Sequence, residues 1–157
     1  MTPGEFFDDV AEKNALSAIE APGDLRQAIN AIMTLDAFFG ILHAELYAKG
    51  TLKESRDDDW KEKLAQRNDD YRLLRDAAYA LKHGELKHPK PRLVRQPDQL
   101  FKMPGAFQSN AFQRGAFQME QVWIETDVTD HRADEVINSV TQFARSQLPS
   151  WKLKRDE

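Results

Sequence analysis

DLRQAINAIMTLDAFFGILHAELYAKG, residues 24–50, decides the fold. Leu25, Ala28, Ile29, Ile32, Leu35, Phe39, Leu42 and Leu46 recur at helical spacing. Asp24 stands where an N-terminal cap belongs, and Gly50 where a helix stops. Between Gln27 and Ala44 the one formally charged side chain is Asp36, while Met33, Phe38 and Ile41 widen the apolar stripe beyond a single face. A helix apolar on most sides must be covered on most sides. The segment is therefore expected at the centre of the protein, with part of it in the interface of a two-fold homodimer, the usual way a small chain hides surplus apolar surface.

Working outward, Thr2, Pro3 and Glu5 combine a hydroxyl cap, a proline where its missing N–H costs nothing and a carboxylate three residues on, so a first helix is predicted up to about Ala21, broken by Pro22-Gly23. Downstream, Ser55 and Asp58 form a capping box, and Trp60, Leu64, Tyr71, Leu74, Ala78 and Leu81 mark one seam reaching His83. Arg67 interrupts that seam, and Asn68-Asp69 can kink or split the helix. A loop of only about five residues after Gly50 sets the two long helices antiparallel. Pro89, Pro91, Pro97 and Pro104 rule out continuous helix beyond Gly84. Short strands are predicted at Arg92–Arg95 and Gln99–Lys102, and a better one in EQVWIET, where Val122 and Ile124 alternate with polar or amphipathic neighbours. A last helix, capped near Thr129 or Asp130, should bury Ala133, Val136, Ile137, Val140, Phe143 and Leu148. The fold class is thus mainly α: an antiparallel helical bundle around a long helical hairpin, with a small β-strand appendage and a C-terminal helix. It reads as one domain over 1–157, with the bundle at 1–84, a proline-rich β segment at 85–127 and the last helix at 128–148.

A chain of 157 residues, 41% apolar and 31% charged, has the size and balance of one water-soluble globule. It contains no cysteine, which excludes disulfides, thiolate nucleophiles and cysteine-ligated zinc. The acidic N-terminus is unlike a secretory signal, and Asp36 and His43 interrupt the longest apolar run, so no membrane association and a cytoplasmic location are expected. Net charge is −4, yet Lys82, Lys87, Lys90, Arg92 and Arg95 make a basic tract, a possible nucleic-acid contact without the aromatic interleaving of single-strand binders.

GAFQSNAFQRGAFQ repeats Ala-Phe-Gln three times at a period of five. That period disagrees with strand alternation, so Phe107, Phe112 and Phe117 are read as an extended loop that pins itself down or meets a partner, in preference to the corners of a small solenoid, for which three copies are too few. His83, Glu85 and His88 form an H-x-E-x-x-H string, but the glycine and prolines keep the histidines off one helical face, and no metal site is expected. Phosphate loops, nucleophile elbows and dinucleotide fingerprints are missing, so no cofactor is expected either. Asp36 and His43, two turns apart on the apolar helix, are expected to bond to the neighbouring helix, with Arg67, Arg72 and Arg75 as candidate partners.

The richest polar group is RDAAYALKHGELKH, where Arg75, Tyr79 and His83 recur at i, i+4 and i+8. A cation, a phenol and an imidazole on one stripe are tools for gripping and cleaving a phosphodiester. A helical hairpin whose second long helix carries Arg and then His near its end resembles the HEPN domains, dimeric all-helical modules of RNA-cleaving toxins and abortive-infection systems. The resemblance spans residues 24–88 and implies Arg75 as the phosphate ligand and His83 as acid or base. Seven residues separate the two, more than in catalytic members of that family, and put their backbones roughly 12 Å apart at 1.5 Å rise per residue. The alternative is that Arg75 pairs with Asp76, Asp36 or another carboxylate across the hairpin. The expected function is a non-enzymatic, homodimeric interaction or regulatory protein, meeting its partner through the three phenylalanines or the basic tract. The other expectation is a HEPN-like ribonuclease or RNA-binding protein.

Overall fold

The computed structural model describes residues 1–86, 91–103 and 120–148. The N-terminal rod comprises α1 (Pro3–Phe6), a π-helical turn (Phe7–Ala11) and α2 (Glu12–Glu20). Its capping box forms as read: Thr2 N–H donates to the Glu5 carboxylate at 2.7 Å, and Glu5 N–H to the Thr2 hydroxyl at 3.2 Å. The π turn is not visible in the sequence periodicity. It keeps Phe7, Ala11 and Ala15, four residues apart, together in the core, because a wider turn cancels the drift that a regular α-helix would impose.

Pro22-Gly23 ends the rod, and the absence of a side chain at Gly23 is required. A Cβ there would lie 2.6 Å from the Glu120 carbonyl oxygen. The same turn is stitched to the sheet by Val122 N–H, which donates to the Pro22 carbonyl at 2.8 Å.

Next comes α3 (Leu25–Ala48), capped by the Asp24 carboxylate, which accepts from Arg26 N–H at 2.9 Å and Gln27 N–H at 3.2 Å. By length and composition this helix would pass for a membrane span, despite the interruption at Asp36 and His43. In the fold it is the central core helix, packed by α2, α5 and α6. Phe38 and Phe39 are fully buried within a single chain. Phe39 lies 4.4 Å from the Tyr71 ring and 5.8 Å from that of Phe143, and Phe38 lies 5.2 Å from Phe7. The apolar surplus that suggested a second protomer is therefore largely absorbed by the protein's own helices.

The second rod is split into α4 (Asp57–Ala65) and α5 (Asp69–His83). Asn68 makes the break by capping α5, its side-chain oxygen accepting from Tyr71 N–H at 2.8 Å. The expected cap at Ser55 does not form. α4 starts at Asp57, after Arg56, and has no side-chain cap. Asp57, Asp58 and Asp59 stabilise its first turn through the helix dipole instead. The buried Asp36 is held by Lys61 at 3.1 Å and by Lys82, and not by an arginine; Lys61 also reaches Asp57 at 3.5 Å. Lysine wins because α4 and α5 point those two stems at the middle of α3. Nearby, His43 Nε2 lies 2.8 Å from the Glu54 carbonyl and pins the α3–α4 loop.

Residues 92–95 are not a strand. Leu93 N–H donates to Asp76 at 2.9 Å, and the Gln99 side chain accepts from Arg95 and Gln96 N–H at 2.6 and 3.1 Å while donating to the Glu125 carbonyl at 2.9 Å. A carboxylate and an amide thus satisfy backbone groups that a neighbouring strand would otherwise serve. A 3₁₀ turn (Pro97–Gln99) leads into β1 (Leu100–Met103), which pairs antiparallel with β2 (Gln121–Glu125), and β2 pairs antiparallel with β3 (Asp130–Arg132). Val122 and Ile124 are fully buried, as their alternation predicts.

Asp130 belongs to β3, so α6 begins at Ala133 (Ala133–Gln147) rather than being capped at Thr129 or Asp130. The hydrogen bonding of Thr129 is taken up in the β2–β3 turn, where the Thr126 hydroxyl donates to its carbonyl at 2.5 Å. α6 buries Ala133, Val136, Ile137 and Val140, while Phe143 and Leu148 are only half-buried. The outcome is a mainly helical fold with a three-stranded antiparallel sheet, order β1-β2-β3, and a C-terminal helix.

Candidate functional site

One helical stripe of α5 carries Tyr71, Arg75, Tyr79 and His83. The last three line a cleft of about 640 Å³, bounded by α4 and by the segment containing Leu86 and Arg92. The structure thus brings together the three residues singled out as candidate chemistry and adds Arg92 from the basic tract. It also adds residues that carried no signal in the sequence. Asp58, Asp59 and Glu62 arrive from α4, whose acidic first turn reads as capping alone.

Each cation in this cleft has a carboxylate. Arg75, only 4% exposed, donates to Glu62 at 2.9 Å and to Asp76 at 3.1 Å. Burial alone pulls its pKa down, but the charges of Asp76 and Glu62 outweigh this and hold the guanidinium above its ordinary range. Arg92 donates to the same Asp76 oxygen at 2.8 Å and lies 4.9 Å over the Tyr79 ring, a cation–π contact. Asp76 is fully buried and accepts from both arginines and from Leu93 N–H, so it clamps residues 92–93 onto α5. Such a buried carboxylate is tolerated because its acceptor positions are filled.

The Tyr79 hydroxyl donates to both oxygens of Asp58, at 3.2 and 3.1 Å. Burial first, then the charge of Asp58 and that hydrogen bond, raise its pKa, so the phenol keeps its proton. His83 meets Tyr79 ring to ring at 4.9 Å and is otherwise exposed. Asp36 and His43, engaged with Lys61, Lys82 and Glu54, lie outside the lining. Three guanidiniums (Arg56, Arg75, Arg92) face four carboxylates (Asp58, Asp59, Glu62, Glu85) across the cleft.

Arg95 is held elsewhere, bidentate on Asp127 at 2.5 and 2.7 Å. Lys87, Lys90, His88 and the repeat phenylalanines Phe107, Phe112 and Phe117 lie outside the described residues. Among the described residues no group of three or more histidine and carboxylate side chains is placed to hold a metal ion.

The chain matches no family model, no curated protein and no solved structure. Its chemistry is therefore read from the cleft itself. A phosphodiester needs a cation free to accept it. Arg75 and Arg92 are each committed to buried or half-buried carboxylates, and Tyr79 is tied to Asp58, so these three side chains are engaged in charge pairs and hydrogen bonds within the cleft.

Proposed function

We propose that this chain is a non-enzymatic helical interaction or regulatory protein, acting in the cytoplasm, whose α4–α5 cleft is the contact site. The observation that carries this reading is the double commitment of Asp76. It binds Arg75 and Arg92 together, and with Glu62 it leaves Arg75 no unbalanced charge to offer a phosphate. Incubating the purified protein with total RNA tests it. The expected result is intact RNA with both wild type and His83→Ala. Cleavage by wild type that is lost in His83→Ala overturns the reading.

The second reading, a HEPN-like ribonuclease, is favoured by one observation: Arg75, Tyr79 and His83 do share one cleft. For it to operate, Arg75 must leave Glu62 or Asp76 on binding RNA.

The reading also retains a two-fold assembly. The outward side of α3, where Met33, Ala37 and Ile41 are half-buried and Ala44 is exposed, is the surface offered to a second copy. Light scattering across a concentration series decides it: twice the chain mass supports the dimer, and a monomer at every concentration removes it.

A further inference from the structure

A second hollow, of about 570 Å³, adjoins the cleft and shares Glu85 and Leu86 with it. The two form one groove running from the first turn of α4, over Leu86, to the β2–β3 turn. Among the described lining residues, four arginines face six carboxylates, because Arg95 joins the cations and Glu125 and Asp127 the anions. All four arginines already have carboxylate neighbours: Arg56 lies 3.8 Å from Asp58, Arg75 and Arg92 are bound as above, and Arg95 rests on Asp127. The side chains of Asp59, at one end, and Glu125, at the other, are exposed and carry no ion pair among the described residues. Between them lies the half-buried Leu86, and beside Asp127 the turn presents Val128, 91% exposed.

Acidic ends about an apolar saddle are complementary to one kind of partner. We infer that the groove docks an extended segment of another protein in which lysine or arginine side chains flank an apolar residue. The apolar side chain sits on Leu86, and the flanking cations pair with Asp59 and Glu125. Charge complementarity of this sort sets partner choice and encounter rate more than raw affinity. The inference rests on the interaction reading given above, and its test separates the two.

Fluorescence anisotropy on the full chain would use a labelled lysine-leucine-arginine peptide, a charge-reversed peptide with glutamates in place of the cations, and a single-stranded RNA oligonucleotide. The basic peptide is expected to bind and to weaken with added salt. Asp59→Asn with Glu125→Gln, two exposed changes that leave the core intact, should weaken it by about fivefold, the combined effect of two exposed charge pairs. Glu20→Gln, on α2, should change nothing. Failure of the basic peptide to bind, equal binding by the double variant, or preference for the acidic peptide overturns the groove assignment alone. RNA bound and left whole also overturns it. RNA bound and cut overturns the interaction reading as well.

Discussion

Tyr71→Phe is expected to stabilise this protein. The Tyr71 ring is fully buried between Phe39 and Phe143, and its hydroxyl has no hydrogen-bond partner among the described residues. A buried hydroxyl that has given up water without a replacement costs about 1–3 kcal/mol. Removing the oxygen leaves a small void of about 10–15 Å³, worth about 0.3 kcal/mol at the usual cavity cost. The difference favours phenylalanine by about 1 kcal/mol, which for a domain of this size raises Tm by about 2–4 °C.

The same hydroxyl governs alkaline stability. Burial, and then the negative charge of Asp36, push its pKa well above the ordinary tyrosine value. In the unfolded chain the phenol ionises at its ordinary value while the folded chain keeps it protonated, so stability is unchanged by this group below that pH and falls as pH rises above it. Urea titrations at neutral and alkaline pH, with tyrosinate absorbance as the second readout, measure both effects. The variant should gain more at alkaline pH than at neutral pH. A loss of more than about 1 kcal/mol at neutral pH would show that the hydroxyl has a bonded partner, an enclosed water being the obvious one, and would refute the reasoning.

Asp76→Asn removes the charge shared by two arginines while keeping the shape. Breaking a buried pair from one side costs about 3–5 kcal/mol, so chemical denaturation should show a loss in that range, and amide exchange should speed up at Leu93, whose N–H the carboxylate holds. Retained protection at Leu93 would remove Asp76 from its role as a clamp. Gly23→Ala puts a methyl carbon into the Glu120 backbone and should cost about 1–3 kcal/mol, read as a lower Tm. A neutral result would mean that the turn and β2 separate without penalty.

The helices and the best strand are legible in the sequence because each is fixed by its own residues. α3 follows from a run of apolar spacing bounded by Asp24 and Gly50, and β2 from the alternation about Val122 and Ile124. What escapes is set by residues distant in the chain. Residues 92–95 carry strand-forming side chains but are held by Asp76 and Gln99, and no local pattern announces such a bond. Asp36 needs cations, and sequence proximity offers arginines and lysines equally; only the placement of α4 and α5 selects Lys61 and Lys82. β3 is hidden because the residues that pair with β2 directly precede a helix and have the residue types of its cap. At the cleft, helical spacing alone brings Arg75, Tyr79 and His83 together. The opposing acidic wall escapes because Asp58 and Asp59 look like ordinary first-turn residues of a helix.

The grip of Lys61 and Lys82 on Asp36 has a consequence for how the chain is made. A ribosome adding about 5–20 residues per second finishes α3 about 2–7 s before Lys82 has been added. Lys61 follows sooner, so the growing polypeptide carries a long oily segment first with its acid unaccompanied and then with one of its two cations. That negative charge, costly at a bilayer midplane by about 2.5–3.5 kcal/mol on insertion scales, works against the segment being taken for a membrane span while its cations are still to come.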